Sequence, residues 1–358
     1  SASRDRISPA MDLQDGPIRP RPDLLSSGSN GRSKMATQIP TGNTEYDITN
    51  SNTTYVLAPN ATRTTSNANG IFAGGSFHDD TIIVKGDIVQ TGGSFAGIWN
   101  QSEDMRIEVV KGGLVSGDIG IYSEDFDGNK LVILNDGKIE GDGEAIHTDG
   151  NKVVVVNTGV IHGAVYLGSG ADLFDNRGGV VDHKIQGGAG DDTLIVDKAG
   201  TKLQENGGSE GYDTVRSTVS YTLSANVERL VLLGNGNTNG TGNNDQSDLY
   251  GNKGNNKLFA LDGSDILAGG RGNDKLFGGD DADTFQFRTG DGHDTIADFE
   301  NGIDHIGLKN WAAITNFNDL KTHHLTVSGN DLVIHAGSDE LVLLDTKKGQ
   351  LDAGDFSF

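Results

Sequence analysis

Apolar residues in this chain follow two rhythms. From 70 to 182 a triplet of small residue, aliphatic residue and ring recurs: Gly70-Ile71-Phe72, Gly97-Ile98-Trp99, Gly120-Ile121-Tyr122, Ala145-Ile146-His147 and Ala164-Val165-Tyr166. A β-branched or apolar run follows each, such as Ile82-Ile83-Val84, Leu131 to Leu134 and Val153 to Val156. Gly-x-aliphatic comes next, as in Gly86-Asp87-Ile88, Gly137-Lys138-Ile139 and Gly159-Val160-Ile161. Each unit predicts three short strands between polar turns. Successive units shorten from 27 residues to 19. No unit can bury its apolar side alone, so neighbours stack, and the expected form is a parallel β-helix. Side chains alternate along a strand. If the Ile column faces inward, Phe72, Trp99, Tyr122, His147 and Tyr166 face outward. Asn135, Asn157 and Asn176 fall at one turn position and predict a hydrogen-bonded side-chain ladder.

From 187 the period becomes nine. Gly187 to Leu194 is one copy and Gly207 to Val215 a degenerate one, with alternating strands over 214–233. Contiguous units follow at 242–250, 251–259, 260–268, 269–277 and 278–286, and Thr289 to Asp294 repeats the turn after an insertion. Each unit has six turn residues and a three-residue strand. Its eighth position is Leu249, Leu258, Leu267, Leu276 or Phe285, one large apolar residue for a thin core. Its sixth position is Ser247, Asn256, Asp265, Asp274 or Asp283. Two units complete a coil, so units two apart stack, with carboxylates about 4.8 Å apart. Bare carboxylates that close repel. A hard cation between successive turns removes the penalty. Calcium suits such a site because it takes about six to eight oxygens in irregular geometry and accepts carbonyls, whereas magnesium demands near-octahedral geometry.

Composition sharpens this picture. The net charge of -23 argues against nucleic acid or an anionic membrane as partner and is compatible with cations. There are 53 Gly but only 6 Pro, and Pro9, Pro17, Pro20 and Pro22 fall in the first zone, so the body is suited to tight turns. With no cysteine, disulfides and thiolate metal sites are excluded. No apolar run is long enough to be a transmembrane segment, and the N-terminus lacks a signal-peptide core. Five zones are expected: a disordered leader over 1–34 that reads as foreign to the rest, an N-terminal cap over 35–69, the β-helix over 70–186, the nonapeptide roll over 187–298 and a β cap over 299–358.

The nonapeptide stretch resembles the RTX, or haemolysin-type, calcium-binding β-roll. Residues 187–195 and 269–277 fit its repeat at every defined position. The resemblance implies calcium ligands from the carbonyls at positions two and four and the side chain at position six. On this chain these are Gly188, Gly190 and Asp192; Asn252, Gly254 and Asn256; Leu261, Gly263 and Asp265; Gly270, Gly272 and Asp274; Gly279, Asp281 and Asp283; and Gly290, Gly292 and Asp294. Ser247 and Asn256 lack the charge and Asp281 replaces a glycine, so sites built on 242–259 should be weak or empty. The end of the chain, Leu351 to Phe358, resembles the C-terminal signal of type I secretion. That implies an extracellular or cell-surface protein, exported through the type I apparatus and folding on external Ca2+.

The expectation is a structural or adhesive role, without catalysis. No HExxH motif occurs, and the GxSxG string Gly207-Gly208-Ser209-Glu210-Gly211 falls inside the degenerate nonapeptide copy. The adjacent His323 and His324 read as strand residues on opposite faces. The alternative is a polysaccharide lyase or epimerase on the β-helix, although the basic residues there, among them Lys85 and Lys111, do not converge. The ring column can offer a platform for sugar rings of an extracellular polysaccharide, or simply stack and stiffen the helix.

Overall fold

The computed structural model describes residues 36–75, 78–124, 130–150, 152–205 and 211–358. The expected leader over 1–34 and part of the degenerate copy at 207–215 lie outside them.

One sheet of fifteen strands runs from Thr37–Ile39 to Phe356–Ser357, each strand parallel to its neighbours and contributed by a successive coil. Its strands alternate as the sequence demands: in Thr81–Val84, Ile82 and Val84 are wholly buried while Thr81 and Ile83 face outward. The inward residues join one core that extends from Ile39 to Phe356. At the start of the solenoid, buried Arg63 donates to the carbonyls of Pro40 and Thr44 and lies over the Tyr46 ring, tying the entering chain to the first coil.

A second sheet lies across that core from Tyr46–Ile48 to Ile185–Gln186. Here the structure departs from three separate strands per unit. The third strand of one unit and the first of the next fuse into Leu114–Ser123, Lys138–Thr148 and Val160–Tyr166. As the units shorten, the loop that separates Asp87–Gln90 from Ala96–Asn100 disappears. The fused strands bend at register shifts between Gly117 and Ile119 and between Glu140 and Glu144. Glycine is required at the bend: a Cβ on Gly141 would lie 1.8 Å from the Glu144 carbonyl oxygen. The Asn ladder is present, Asn135 Nδ2 donating to Asn157 Oδ1 at 2.8 Å and Asn157 Nδ2 to Asn176 Oδ1 at 2.7 Å.

A third sheet takes over from Tyr221–Thr222 and carries the nonapeptide strands Lys257–Asp262, Lys275–Asp280 and His293–Ile296. Between it and the long sheet, Leu249, Leu258, Leu267, Leu276 and Phe285 are fully buried. The sheet ends in an antiparallel meander, Asp339–Leu343, Asp331–Ala336 and Leu325–Ser328, that covers its last parallel strand. His323 and His324 do not lie on a strand. They occupy a helical turn over Leu320–His324, and their rings reach the same oxygen, Asp319 Oδ1, at 3.0 and 3.8 Å. Among the described residues no helix is long and apolar enough to cross a membrane.

Candidate metal centre

The nonapeptide turns form two columns, one at each margin of the roll. The first precedes the long-sheet strands and holds Asp192, Asp265 and Asp283. The second precedes the third-sheet strands and holds Asn256, Asp274 and Asp294. Within a column each sixth-position carboxylate uses Oδ1 to accept the backbone N–H of its counterpart one coil earlier. Ser247 N donates to Asp265 at 2.6 Å, Asp265 N to Asp283 at 2.9 Å, Asn256 N to Asp274 at 2.7 Å and Asp274 N to Asp294 at 2.9 Å. The second oxygen is another matter. Oδ2 of Asp192, Asp265, Asp274 and Asp283 is buried with no hydrogen-bond partner. A buried unpaired carboxylate oxygen is costly, and its recurrence at the same turn position in both columns calls for one kind of partner.

The turn glycines enclose these orphan atoms. A Cβ on the first glycine of a unit would lie 2.1 Å from Asp192 Oδ2 at Gly187, 2.3 Å from Asp274 Oδ2 at Gly269 and 2.2 Å from Asp283 Oδ2 at Gly278. The carbonyls at positions two and four point along the stack. That of Asn252 would meet a Cβ on Gly270, that of Gly254 one on Gly272, and that of Leu261 one on Gly279, at 2.4, 2.5 and 1.8 Å. In five of the six triplets the backbone at these two positions is left-handed, even where that is strained: Leu261 has φ 83° and Asp281 φ 78°. Carbonyls and one carboxylate per turn, facing a space too small for a side chain, match the donor set of a hard cation. Among the described residues no three His, Asp or Glu side chains converge on one point, so any ion here is held mainly by backbone.

Without a cation, burial pushes the carboxyls of Asp192, Asp265, Asp274 and Asp283 up to about 7 and that of Asp294 to about 8. Neighbouring carboxylates raise them further, for example Asp265 acting on Asp283. A divalent ion reverses this preference by stabilising the charged form.

The six expected triplets are not equivalent. Asn252 and Gly254 are not left-handed, unlike the corresponding pairs in the other five. Asn252 Nδ2 donates to the carbonyls of Leu233 and Gly236, both at 3.0 Å, and Asn256 Nδ2 donates to that of Thr238 at 2.6 Å. Asn243 Nδ2 does the same one turn away, reaching Ser224 O at 2.6 Å and Val227 O at 2.9 Å. Side-chain amides therefore take the carbonyls that a cation would take elsewhere.

The first column also extends beyond the residues read from sequence. Gly168, Gly170 and Asp172 form an earlier turn of the same shape. Both glycines are left-handed, Asp172 N donates to Asp192 Oδ1 at 2.8 Å, and Asp172 Oδ2 is another orphan. Asp213 takes the Asp192 N–H and Asp304 the Asp283 N–H, each one coil later. Three further acids close the ends of stacks. Glu205 accepts from Gly187 N and Gly188 N, Asp298 from Gly278 N and Gly279 N, and Asp339 from Gly290 N. The Gly168-Ser169-Gly170-Ala171-Asp172 spacing was a usable signal. The three closing acids were not, because each arrives from a loop of irregular length.

The ring column lies on the outer face of the second sheet. Phe72, Trp99, Tyr122, His147 and Tyr166 pair in register, with successive centroids 5.6, 5.9, 5.5 and 5.5 Å apart. Trp99 Nε1 is buried without a partner. Tyr122 O–H donates to Asp149 at 2.7 Å. Beside the last two rings opens a cavity of about 300 Å³ lined by His147, Asp149, Tyr166, Ser169 and Gln186.

The family model for the RTX calcium-binding nonapeptide repeat, in four copies, matches residues 184–197, 250–285 and 259–296. No curated protein matches the chain. Among solved structures, the extracellular lipase LipA from Serratia marcescens is similar to it at 14% identity over 65% of this chain and 45% of that one, with a TM-score of 0.25. This chain thus spans less than half of the lipase. The matched segments coincide with the turns whose carbonyls and orphan carboxylate oxygens stack, and the chain accordingly carries RTX calcium-binding nonapeptide repeats, folded as a β-solenoid.

Proposed function

We propose that this is a secreted structural or adhesive protein whose roll folds around extracellular calcium. The observation that carries the reading is the recurrence of buried, partnerless Oδ2 atoms at the sixth turn position, on Asp192, Asp265, Asp274 and Asp283. The ligands would be these carboxylates and Asp294, with the carbonyls of Gly188, Gly190, Leu261, Gly263, Gly270, Gly272, Gly279, Asp281, Gly290 and Gly292. The ion supplies the positive charge that lets stacked carboxylates stay ionised, and the chain supplies a preformed cage. A ligand that binds only the folded form stabilises it by RT ln(1 + [L]/Kd), about 2.7 kcal/mol per site at 100-fold saturation. Low cytosolic calcium would leave the chain loose for the type I apparatus, and millimolar calcium outside would close it.

Circular dichroism with calcium and with EGTA tests this. The β signal is expected to weaken on chelation, as the roll loosens, and to recover on calcium addition. An unchanged spectrum removes the switch.

In this reading the ring column meets a polysaccharide of the cell surface or matrix. The in-register outer rings and the polar-lined cavity beside Tyr166 support it, because sugars are held by ring faces together with polar groups. Trp99→Ala should lose glycan retention while keeping its calcium-loaded dichroism. Incubation with alginate or pectate should release no unsaturated uronates; their release would favour a lyase.

A further inference from the structure

Alternate nonapeptides carry opposite charge. Units 251–259 and 269–277 place a base at position three (Lys253, Arg271), lysine at seven (Lys257, Lys275) and phenylalanine at nine (Phe259, Phe277). Units 260–268 and 278–286 place aspartate at position three (Asp262, Asp280). Two units make a coil, so these bases gather at one margin of the third sheet and these acids at the other. Strands Lys257–Asp262 and Lys275–Asp280 pair with Lys257 opposite Lys275, Phe259 opposite Phe277 and Asp262 opposite Asp280. The Phe rings stack at 4.4 Å, and Leu261 beside them is 40% exposed. Lys257, Arg271, Asp262 and Asp280 are exposed.

Like charges directly opposite on adjacent strands are destabilising. This sheet has such a pair at both ends of the same two strands. Each pair is the complement of the other, and both repeat at one strand spacing. We infer that calcium-loaded rolls associate side by side, the Lys257, Lys275 and Arg271 margin of one copy lying against the Asp262 and Asp280 margin of the next. One contact then satisfies both pairs. An acidic polysaccharide would satisfy the bases but leave the aspartates facing each other, so a second copy fits the pattern better. The contact is heterologous: every added copy leaves one free margin of each sign, and the product is an open row. On a chain of charge -23 the attraction is local and is weakened by screening.

The inference rests on the calcium-folded roll, so the test is made on the full chain in calcium with dichroism as the fold control. Sedimentation velocity at low salt should show species that grow with concentration and dissociate at high salt. Lys257→Glu with Lys275→Glu, and separately Asp262→Lys with Asp280→Lys, should each weaken association at least about tenfold. An equimolar mixture of the two variants should associate again, because each now carries the margin the other needs. A folded wild-type chain that stays monomeric at low salt overturns the inference, as does association that survives both double substitutions. So does retention of a monomeric wild type by alginate that is lost in the lysine variant, which would assign the basic margin to an acidic glycan. Failure of the dichroism control would instead count against calcium-dependent folding itself.

Discussion

At Asp274 one oxygen builds the fold and the other is the one proposed to meet calcium. Oδ1 accepts the Asn256 N–H, while Oδ2 is buried without a partner. Asp274→Asn keeps the acceptor and removes the charge, so its effect should change sign with calcium. In chelator above about pH 8, where the wild-type carboxyl is ionised against its burial, the variant should melt higher than wild type. In saturating calcium it should melt lower, because a ligand is lost. Thermal melts under both conditions check this, and a shift of the same sign in both would contradict the split role. Gly269→Ala attacks the same atom sterically, since its Cβ would lie 2.3 Å from Oδ2. It should lower calcium affinity in titration calorimetry. Gly302→Ala is the control. Its φ is +77° with nothing within 4 Å of a Cβ, so it should cost only about 1–2 kcal/mol of backbone strain.

Among elements, the Asn ladder links successive coils through side-chain amides. Asn157 accepts from Asn135 and donates to Asn176 Oδ1 and to Val180 O at 3.2 Å. Asn157→Ala strands buried partners on both sides and should destabilise the β-helix by about 1–3 kcal/mol. Urea unfolding should show the same loss with and without calcium, because the ladder stands apart from the nonapeptide turns. This ladder and the ring column were legible in the sequence, since one residue per coil at a constant structural position leaves a repeat even as coil length drifts. Side-chain alternation then decides which member of Gly-Ile-ring points in. The fused strands were not legible. Whether Val115 and Ile121 lie on one strand or two depends on how closely the bend at Gly117 packs against the neighbouring coil, and no local pattern encodes that. Asp172 was not legible for a related reason: its turn lies inside the longer β-helix period, so its Gly-x-Gly-x-Asp does not recur at nine residues. His323 and His324 failed because strand alternation was assumed where Asn316 caps a helical turn, its side chain accepting from Asp319 N.

For the molecule as a whole, the buried carboxyls make calcium and protons competitors. In the metal-free fold Asp172, Asp213 and Asp294 are raised by burial to about 8, and Asp192, Asp265, Asp274 and Asp283 to about 7. An unfolded aspartate stays near its ordinary value of 3.8. Between these values the native chain binds more protons than the unfolded one, so its stability falls as pH rises. The calcium-free chain should therefore be most structured near pH 4 and lose structure progressively as the pH approaches about 8. With calcium the direction reverses. The ion must displace those protons, so the calcium concentration at half-folding should drop as pH is raised from about 6 to about 8. Several carboxyls stacked in two columns titrate together, so the dependence should be steeper than one group provides. Trp311, buried with its Nε1 donating to Asp339 at 3.3 Å beside the last turn, offers a fluorescence reporter for the calcium titration at each pH. A half-folding concentration that does not move with pH would mean that the stacked aspartates are not the groups the ion meets.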